Sequence, residues 1–140
     1  MIPFILLYGL YVMVGTEGAG GGFQGGTVLA AAFILLVTAF GINKGREKMP
    51  ESWNALFKSL GLYLYAGVGG LLCIIFSLGK AQFLNYCAIP LASIIGGPAT
   101  RGFWVSHVVE VGIGVTVMGA FVSIFYDLAR KDEVLEEEER

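Results

Sequence analysis

The sequence has little charge. Only 14% of its 140 residues are Asp, Glu, Lys or Arg, whereas an average soluble domain carries about 25%. Apolar residues make up 56% of the chain, and the mean hydropathy is +0.74. This composition excludes an ordinary water-soluble globular domain and favours an integral membrane protein. The length is that of a single domain, residues 1–140.

Basic residues and cysteines are scarce as well. The nine Lys and Arg residues lie at the borders of apolar segments, so the chain offers no basic surface for nucleic acid. The two cysteines, Cys73 and Cys87, do not have the spacing of a metal site or a redox motif. Because Cys73 lies inside an apolar run, it is typical of a small buried hydrophobic residue. We expect neither a metal nor a cofactor.

Glycine, in contrast, is abundant. The chain contains 21 glycines, about twice the average usage. They follow no Gly-X-Y period and stand among large apolar residues, which excludes collagen and disordered linkers. In transmembrane helices, glycine and other small residues let two backbones approach closely.

The apolar segments predict an all-α membrane protein with four transmembrane helices. Residues 1–42 contain one charged side chain, Glu17, and as helix they are long enough for about two crossings of the hydrocarbon core. The glycine run at 18–26 is the natural corner between the first two helices. The predicted spans are residues 2–14, 25–42, 60–79 and 102–126.

The remaining segments are predicted to connect or follow these spans. The polar segment 43–58 is predicted to be an exposed loop. Residues 81–100 are apolar but contain Pro90 and Pro98, which favours a loop with an interfacial or re-entrant piece over a fifth span. Residues 127–140 are predicted to be a solvated acidic tail.

The distribution of Lys and Arg predicts the orientation in the membrane. With four spans, seven basic residues lie on the side of both termini and two lie on the other side. The seven are Lys44, Arg46, Lys48, Lys58, Arg130, Lys131 and Arg140; the two are Lys80 and Arg101. The positive-inside rule therefore places both termini in the cytoplasm of a multi-pass cell-membrane protein. Since neither side carries a large soluble domain, the chain is not expected to be an enzyme.

The glycine corner permits three interpretations. Gly20-x-Gly22-x-x-Gly25 matches the dinucleotide-binding fingerprint, but a preceding strand and a following soluble helix are missing, which disfavours a cofactor. Close helix packing is the favoured interpretation. A broken helix that exposes backbone groups to an ion is the alternative. The packing candidates here are Gly20, Gly21, Gly22, Gly25 and Gly26.

Glu110 is the most informative single residue, because a carboxylate inside a membrane helix costs on the order of 3 kcal/mol on insertion scales. His107 lies three residues earlier and shares its helical face. The pair is a candidate for an ion pathway, and a contact with a partner subunit is an equally strong alternative.

The opposite face of the same predicted helix carries a stripe of small residues, which favours close packing. These residues are Gly112, Thr116, Gly119, Ala120 and Ser123. A helix with an ionisable group on one side and small residues on the other has little surface left for lipid. We therefore expect it to lie between neighbouring helices, some of them from other polypeptides.

The run 15–33, GTEGAGGGFQGGTVLAAAF, resembles the B subunit of Mrp-type multisubunit sodium/proton antiporters. The family pattern at this corner is G-H-x-x-P-G-G-G-F-x-G-G. Gly15 and the segment 20–26 match this pattern, whereas Thr16 and Ala19 stand where the family often has His and Pro. These two changes remove a titratable group and a rigid turn residue. The final helix, from Glu110 onward, is also similar to that of the family.

The resemblance implies a subunit without a catalytic centre that works among other antiporter-type subunits in a large hetero-oligomer moving Na⁺ and H⁺. Homologous subunits occur in archaeal membrane-bound hydrogenase and sulfane reductase complexes, so hydrogenase or sulfane reductase subunits are further candidate partners. The alternative is a small homodimeric proton-coupled transporter. Exporters of that kind use a membrane-embedded carboxylate in their first span, and residues 2–14 contain none.

Overall fold

The computed structural model describes residues 1–14, 21–77, 83–85, 94, 96 and 103–138, and of residues 68, 104–106 and 131–138 it describes the backbone alone. Within these residues the chain is helical and contains no strand. The α-helices are α1 (Ile2–Val14), α2 (Gly22–Phe40), α3 (Ile42–Lys48), α4 (Glu51–Leu64), α5 (Cys73–Phe76) and α6 (Glu110–Glu138). Two π-helical stretches, Tyr65–Leu72 and Trp104–Val109, lead into α5 and α6.

In the part of the chain that the structure describes, three helices are long and apolar enough to cross a membrane: Gly22–Phe40, Glu51–Phe76 and His107–Arg130. The first helix, Ile2–Val14, is apolar but has only 13 residues, which is about 20 Å of α-helix. The chain is therefore an all-α, multi-pass membrane protein. Three of the four predicted spans correspond to helices of spanning length, and the first corresponds to a shorter one.

The prediction of a loop over 43–58 was wrong, because all but the first residue of α3 and the first two turns of α4 lie there. Polar composition misled the prediction, since Lys, Arg and Glu are good helix formers. The breaks are instead made by Gly41, whose φ of 89° ends α2 and precedes α3, and by Pro50, which stands just before α4. Proline fixes φ and is well tolerated at a helix start.

The last helix is also longer than predicted. It continues past Tyr126 to Glu138, so the described part of the acidic segment is helical. This extension contains four Glu and two Leu residues, and both types have high helix propensity. The predicted corner residues Glu17 and Gly20, and most of 81–100, lie outside the described residues.

Helix α6 lies between α2 and α4, and α1 packs mainly against α2 and also touches α6, where Met13 lies next to Gly114. The buried side chains are few and mostly small, among them Ala32, Val37, Cys73 and Val122. Many large apolar side chains point outward, for example Tyr8, Leu62 and Tyr63. Such surfaces suit contact with lipid or with other membrane subunits.

The two π-helical stretches lie against each other. Cys73 and Val109 are buried at this contact, and Tyr65, Leu72, Val108 and Ile113 pack around them. The contact joins the far end of α4 to the start of α6. It therefore holds Glu110, the first residue of α6, at a fixed height relative to α4.

Candidate functional site

The face of α6 toward α2 is built on backbone-to-backbone contact. A Cβ atom at Gly22 would collide with the carbonyl oxygen of Glu110, and one at Gly26 would collide with the carbonyl oxygen of Gly114. Glycine at these two positions is therefore what lets α2 and α6 touch, in the manner of small-residue membrane packing.

The neighbouring corner glycines differ in their surroundings. A Cβ at Gly25 would lie 2.5 Å from the Cβ of Met13, so this residue packs α2 against α1. A Cβ at Gly21 would meet only the side chain of Gln24, with its Oε1 at 2.9 Å. Gly21 is the residue before α2 and its φ of 172° is an extended conformation, which any residue adopts. Gly20 lies outside the described residues.

The face of α6 toward α4 carries the predicted small-residue stripe. A Cβ at Gly61 of α4 would collide with the Gly112 carbonyl oxygen and the Thr116 hydroxyl oxygen. A Cβ at Gly112 would lie 3.0 Å from the Cβ of Leu64. Thr116 Oγ1 donates to the Gly112 carbonyl oxygen at 2.9 Å and lies 3.4 Å from the carbonyl oxygen of Lys58. Ala120 is half-buried.

Glu110 and His107 lie where the π-helical stretch meets α6. Glu110 is half-buried, and its backbone carbonyl faces Gly22. His107 is exposed, and its ring stacks on Phe103 with a centroid distance of 5.3 Å. Among the described residues, no hydrogen bond joins the two side chains. The structure thus places the backbone of Glu110 at the contact with α2, leaves its side chain half-buried, and places the imidazole of His107 at the surface.

A polar cluster that the sequence analysis missed lies toward the other end of the α4–α6 contact. Asn54 is 2% exposed, and its Nδ2 donates to the Gly119 carbonyl oxygen at 3.1 Å and to Ser123 Oγ at 2.7 Å. Lys58 Nζ donates to the same Ser123 oxygen at 2.7 Å. The four-residue spacing of Asn54 and Lys58 puts both on one helical face, and this signal was hidden because the segment was predicted to be a loop.

Tyr126 of α6 lies beside this polar cluster. Its ring meets that of Phe33 edge-on, with centroids 6.3 Å apart, and the Arg46 guanidinium lies 6.0 Å from the ring centroid. The Tyr126 hydroxyl and Asn54 Oδ1 are buried and have no hydrogen-bond partner among the described residues. Within the same residues, no group of three or more His, Cys, Asp or Glu side chains could hold a metal ion.

Comparison with known proteins identifies the family. A family model described as a domain related to the MnhB subunit of Na⁺/H⁺ antiporters matches residues 1–123. The chain belongs to this MnhB family. The matched region contains α1 to α5 and α6 as far as Ser123, and so includes every glycine contact described above.

Individual relatives agree with the MnhB assignment. An antiporter subunit mnhB2 of Staphylococcus aureus (strain Newman) is 31% identical over 134 residues, which cover 92% of this chain and 88% of the relative. The mnhB2 subunit of Staphylococcus haemolyticus (strain JCSC1435) is 30% identical over 135 residues with the same coverage. No solved structure matches the chain. The resemblance to the B subunit of Mrp-type antiporters is therefore confirmed.

Proposed function

We propose that this chain is a non-catalytic membrane subunit of a multisubunit Na⁺/H⁺ antiporter and works together with other antiporter-type subunits. The observation that carries the proposal is the MnhB family match over residues 1–123, together with relatives named as antiporter subunits. The outward-facing apolar side chains on α1 and α4 supply surface for such neighbours.

Within this function, we assign Glu110 to the sodium/proton translocation region. Glu110 is half-buried near the start of the apolar helix His107–Arg130, and ionisable groups inside membrane segments are functional candidates by default. His107, exposed and stacked on Phe103, is assigned a supporting place beside it. A contact of this pair with a partner subunit is the competing role.

The proposal extends to orientation and to the larger complex. The excess of Lys and Arg on the side of residues 43–58 supports a cytoplasmic location of both termini. The resemblance supports an archaeal respiratory complex, either a membrane-bound hydrogenase or a sulfane reductase, as the host assembly. A self-sufficient homodimeric transporter is the alternative function.

The test begins with mild-detergent purification of the full chain from its native membrane, followed by identification of the proteins that accompany it. We expect antiporter-type subunits, and hydrogenase or sulfane reductase subunits if the host is respiratory. Recovery as a homo-oligomer with transport activity in liposomes would instead establish the alternative.

The role of Glu110 is then tested in the reconstituted complex by Na⁺-driven proton movement. Glu110→Gln is expected to lower antiport at least tenfold while the complex stays assembled. Glu47→Gln, which removes an exposed carboxylate from α3, is the matched control and should retain full activity. Loss of partner subunits from the Glu110→Gln complex would favour the contact role, and unchanged antiport would remove Glu110 from the pathway.

A further inference from the structure

A polar cavity of ≈ 370 Å³ opens between α3, α4 and α6. This volume falls within the range of small-molecule pockets, roughly 300–1,000 Å³. We call it the border cavity. It is lined by Arg46, Pro50, Glu51, Asn54, Ala55, Lys58, Ser123, Tyr126, Asp127 and Arg130.

The border cavity lies at the depth where the apolar segments end. Beyond Lys58, α4 and the residues after it carry no charged side chain through residue 77, and α6 carries none from 111 to 126. Glu51, Asp127 and Arg130 lie on the outer side of that limit. In a bilayer, this is the level of the lipid headgroups.

The charges of the lining favour an anion. Arg46, Lys58 and Arg130 contribute three positive charges, whereas Glu51 and Asp127 contribute two negative ones. Lys58 is held at the inner wall by its hydrogen bond to Ser123 Oγ. Arginine guanidinium groups present forked N–H donors that match phosphate oxygens, and lysine binds phosphate as a point charge.

An apolar groove of ≈ 310 Å³ lies between α4 and α6, further into the apolar part of these helices. It is lined by Gly61, Leu62, Tyr65, Ile113, Thr116 and Val117. Lys58 and Leu62 lie about one turn apart on α4, and Tyr65 follows at the start of the π-helical stretch. On α6, residues 113, 116 and 123 lie along one side of the helix. The border cavity and the groove share no lining residue, but both lie along the α4–α6 contact, the first lined mainly by charged and polar residues and the second mainly by apolar ones.

We propose that the border cavity binds the phosphodiester headgroup of an anionic phospholipid, with an acyl chain lying in the apolar groove below it. Basic pockets between transmembrane helices on the cytoplasmic side are suited to such headgroups, and the amphipathic lining of this contact matches a lipid better than it matches a free anion. This lipid site would be present whether or not the chain takes part in ion transport.

The test uses the full chain with its co-purifying subunits, reconstituted either in phosphatidylcholine or in phosphatidylcholine with phosphatidylglycerol. The complex is then released from the bilayer, and native mass spectrometry identifies the lipid that remains bound to it. We expect retained phosphatidylglycerol, and we expect the double variant Arg46→Gln, Arg130→Gln to retain it roughly tenfold less. The matched control, Lys44→Gln with Lys48→Gln, removes two exposed charges from α3 outside the cavity and should retain as much as the wild type.

Four results would overturn the proposal. Equal loss in both double variants would mean diffuse surface attraction, and equal retention of both lipids would mean no headgroup selection. Displacement of the lipid by inorganic phosphate alone would identify a free-anion site. Loss of a partner subunit from the cavity variant, with lipid retention unchanged, would identify a protein contact. Circular dichroism of each variant shows whether the helices are intact.

Discussion

Asn54 and Gly119 are joined by a hydrogen bond from the side-chain Nδ2 of the first to the backbone carbonyl oxygen of the second, at 3.1 Å. The same Nδ2 also reaches Ser123 Oγ. Because Gly119 has no side chain, α4 comes close enough for these bonds: a Cβ there would lie 2.9 Å from Asn54 Oδ1. One buried amide thus fixes the register of α4 against α6.

Replacing Asn54 with alanine should destabilise the α4–α6 contact. Both hydrogen bonds are lost, and we expect the free energy of unfolding to fall by about 1–2 kcal/mol. Unfolding in mixed detergent micelles, followed by circular dichroism, measures the change. Asn43→Ala, an exposed asparagine on α3, is the control and should be neutral. Equal stability of the two variants would show that the Asn54 amide does not hold the helices together.

Gly61 should not tolerate alanine. The added methyl group would run into the Gly112 carbonyl oxygen and the Thr116 hydroxyl, and overpacking of this kind costs about 1–3 kcal/mol. Gly67 offers a matched control on the same continuous helix, because a Cβ there meets nothing within 4 Å. The free energy of unfolding in mixed micelles should be lower for Gly61→Ala than for Gly67→Ala by at least about 1 kcal/mol. Equal effects would contradict the close approach of α4 to α6.

Two adjacent corner glycines should respond differently to alanine. Gly22→Ala places a methyl group against the Glu110 backbone and should push α2 away from α6, whereas Gly21→Ala meets only the movable Gln24 side chain. We expect Gly22→Ala to lower thermal stability in detergent and to weaken association with partner subunits. Gly21→Ala should behave like the wild type in both assays. Similar behaviour of the two variants would contradict the described contact.

The expected orientation can be measured with single cysteines in a background where Cys73 and Cys87 are replaced by serine. A cysteine at Asn43, exposed on α3, should react with a membrane-impermeant maleimide only in inside-out vesicles. A cysteine at Phe83, 55% exposed at the other end, should react only in right-side-out cells. The reverse pattern would invert the assigned topology.

The class of the protein was predictable from the sequence, because bilayer insertion is governed by local properties. Low charge and long apolar segments decide whether a helix enters lipid, and each of the three helices of spanning length overlaps a predicted span. Family resemblance could also be seen, since the glycine corner at 20–26 is a contiguous motif. The predicted helix ends were less accurate around residues 43–58. Polar composition there predicted a loop, whereas the structure breaks the helices at Gly41 and Pro50.

Only the tertiary structure decided which residues meet. The sequence placed small residues on one face of the last helix, but it could not assign their neighbours. The structure shows that α2 and α4 of the same chain flank α6. Asn54, Lys58 and Ser123 are separated by up to 69 residues, and no local pattern links them. The sequence by itself determined a glycine-rich helical membrane protein of the MnhB family, because hydropathy and a contiguous motif are local properties. The packing partners of its glycines and the border cavity arise from contacts between distant segments, which exist only once the helices have packed.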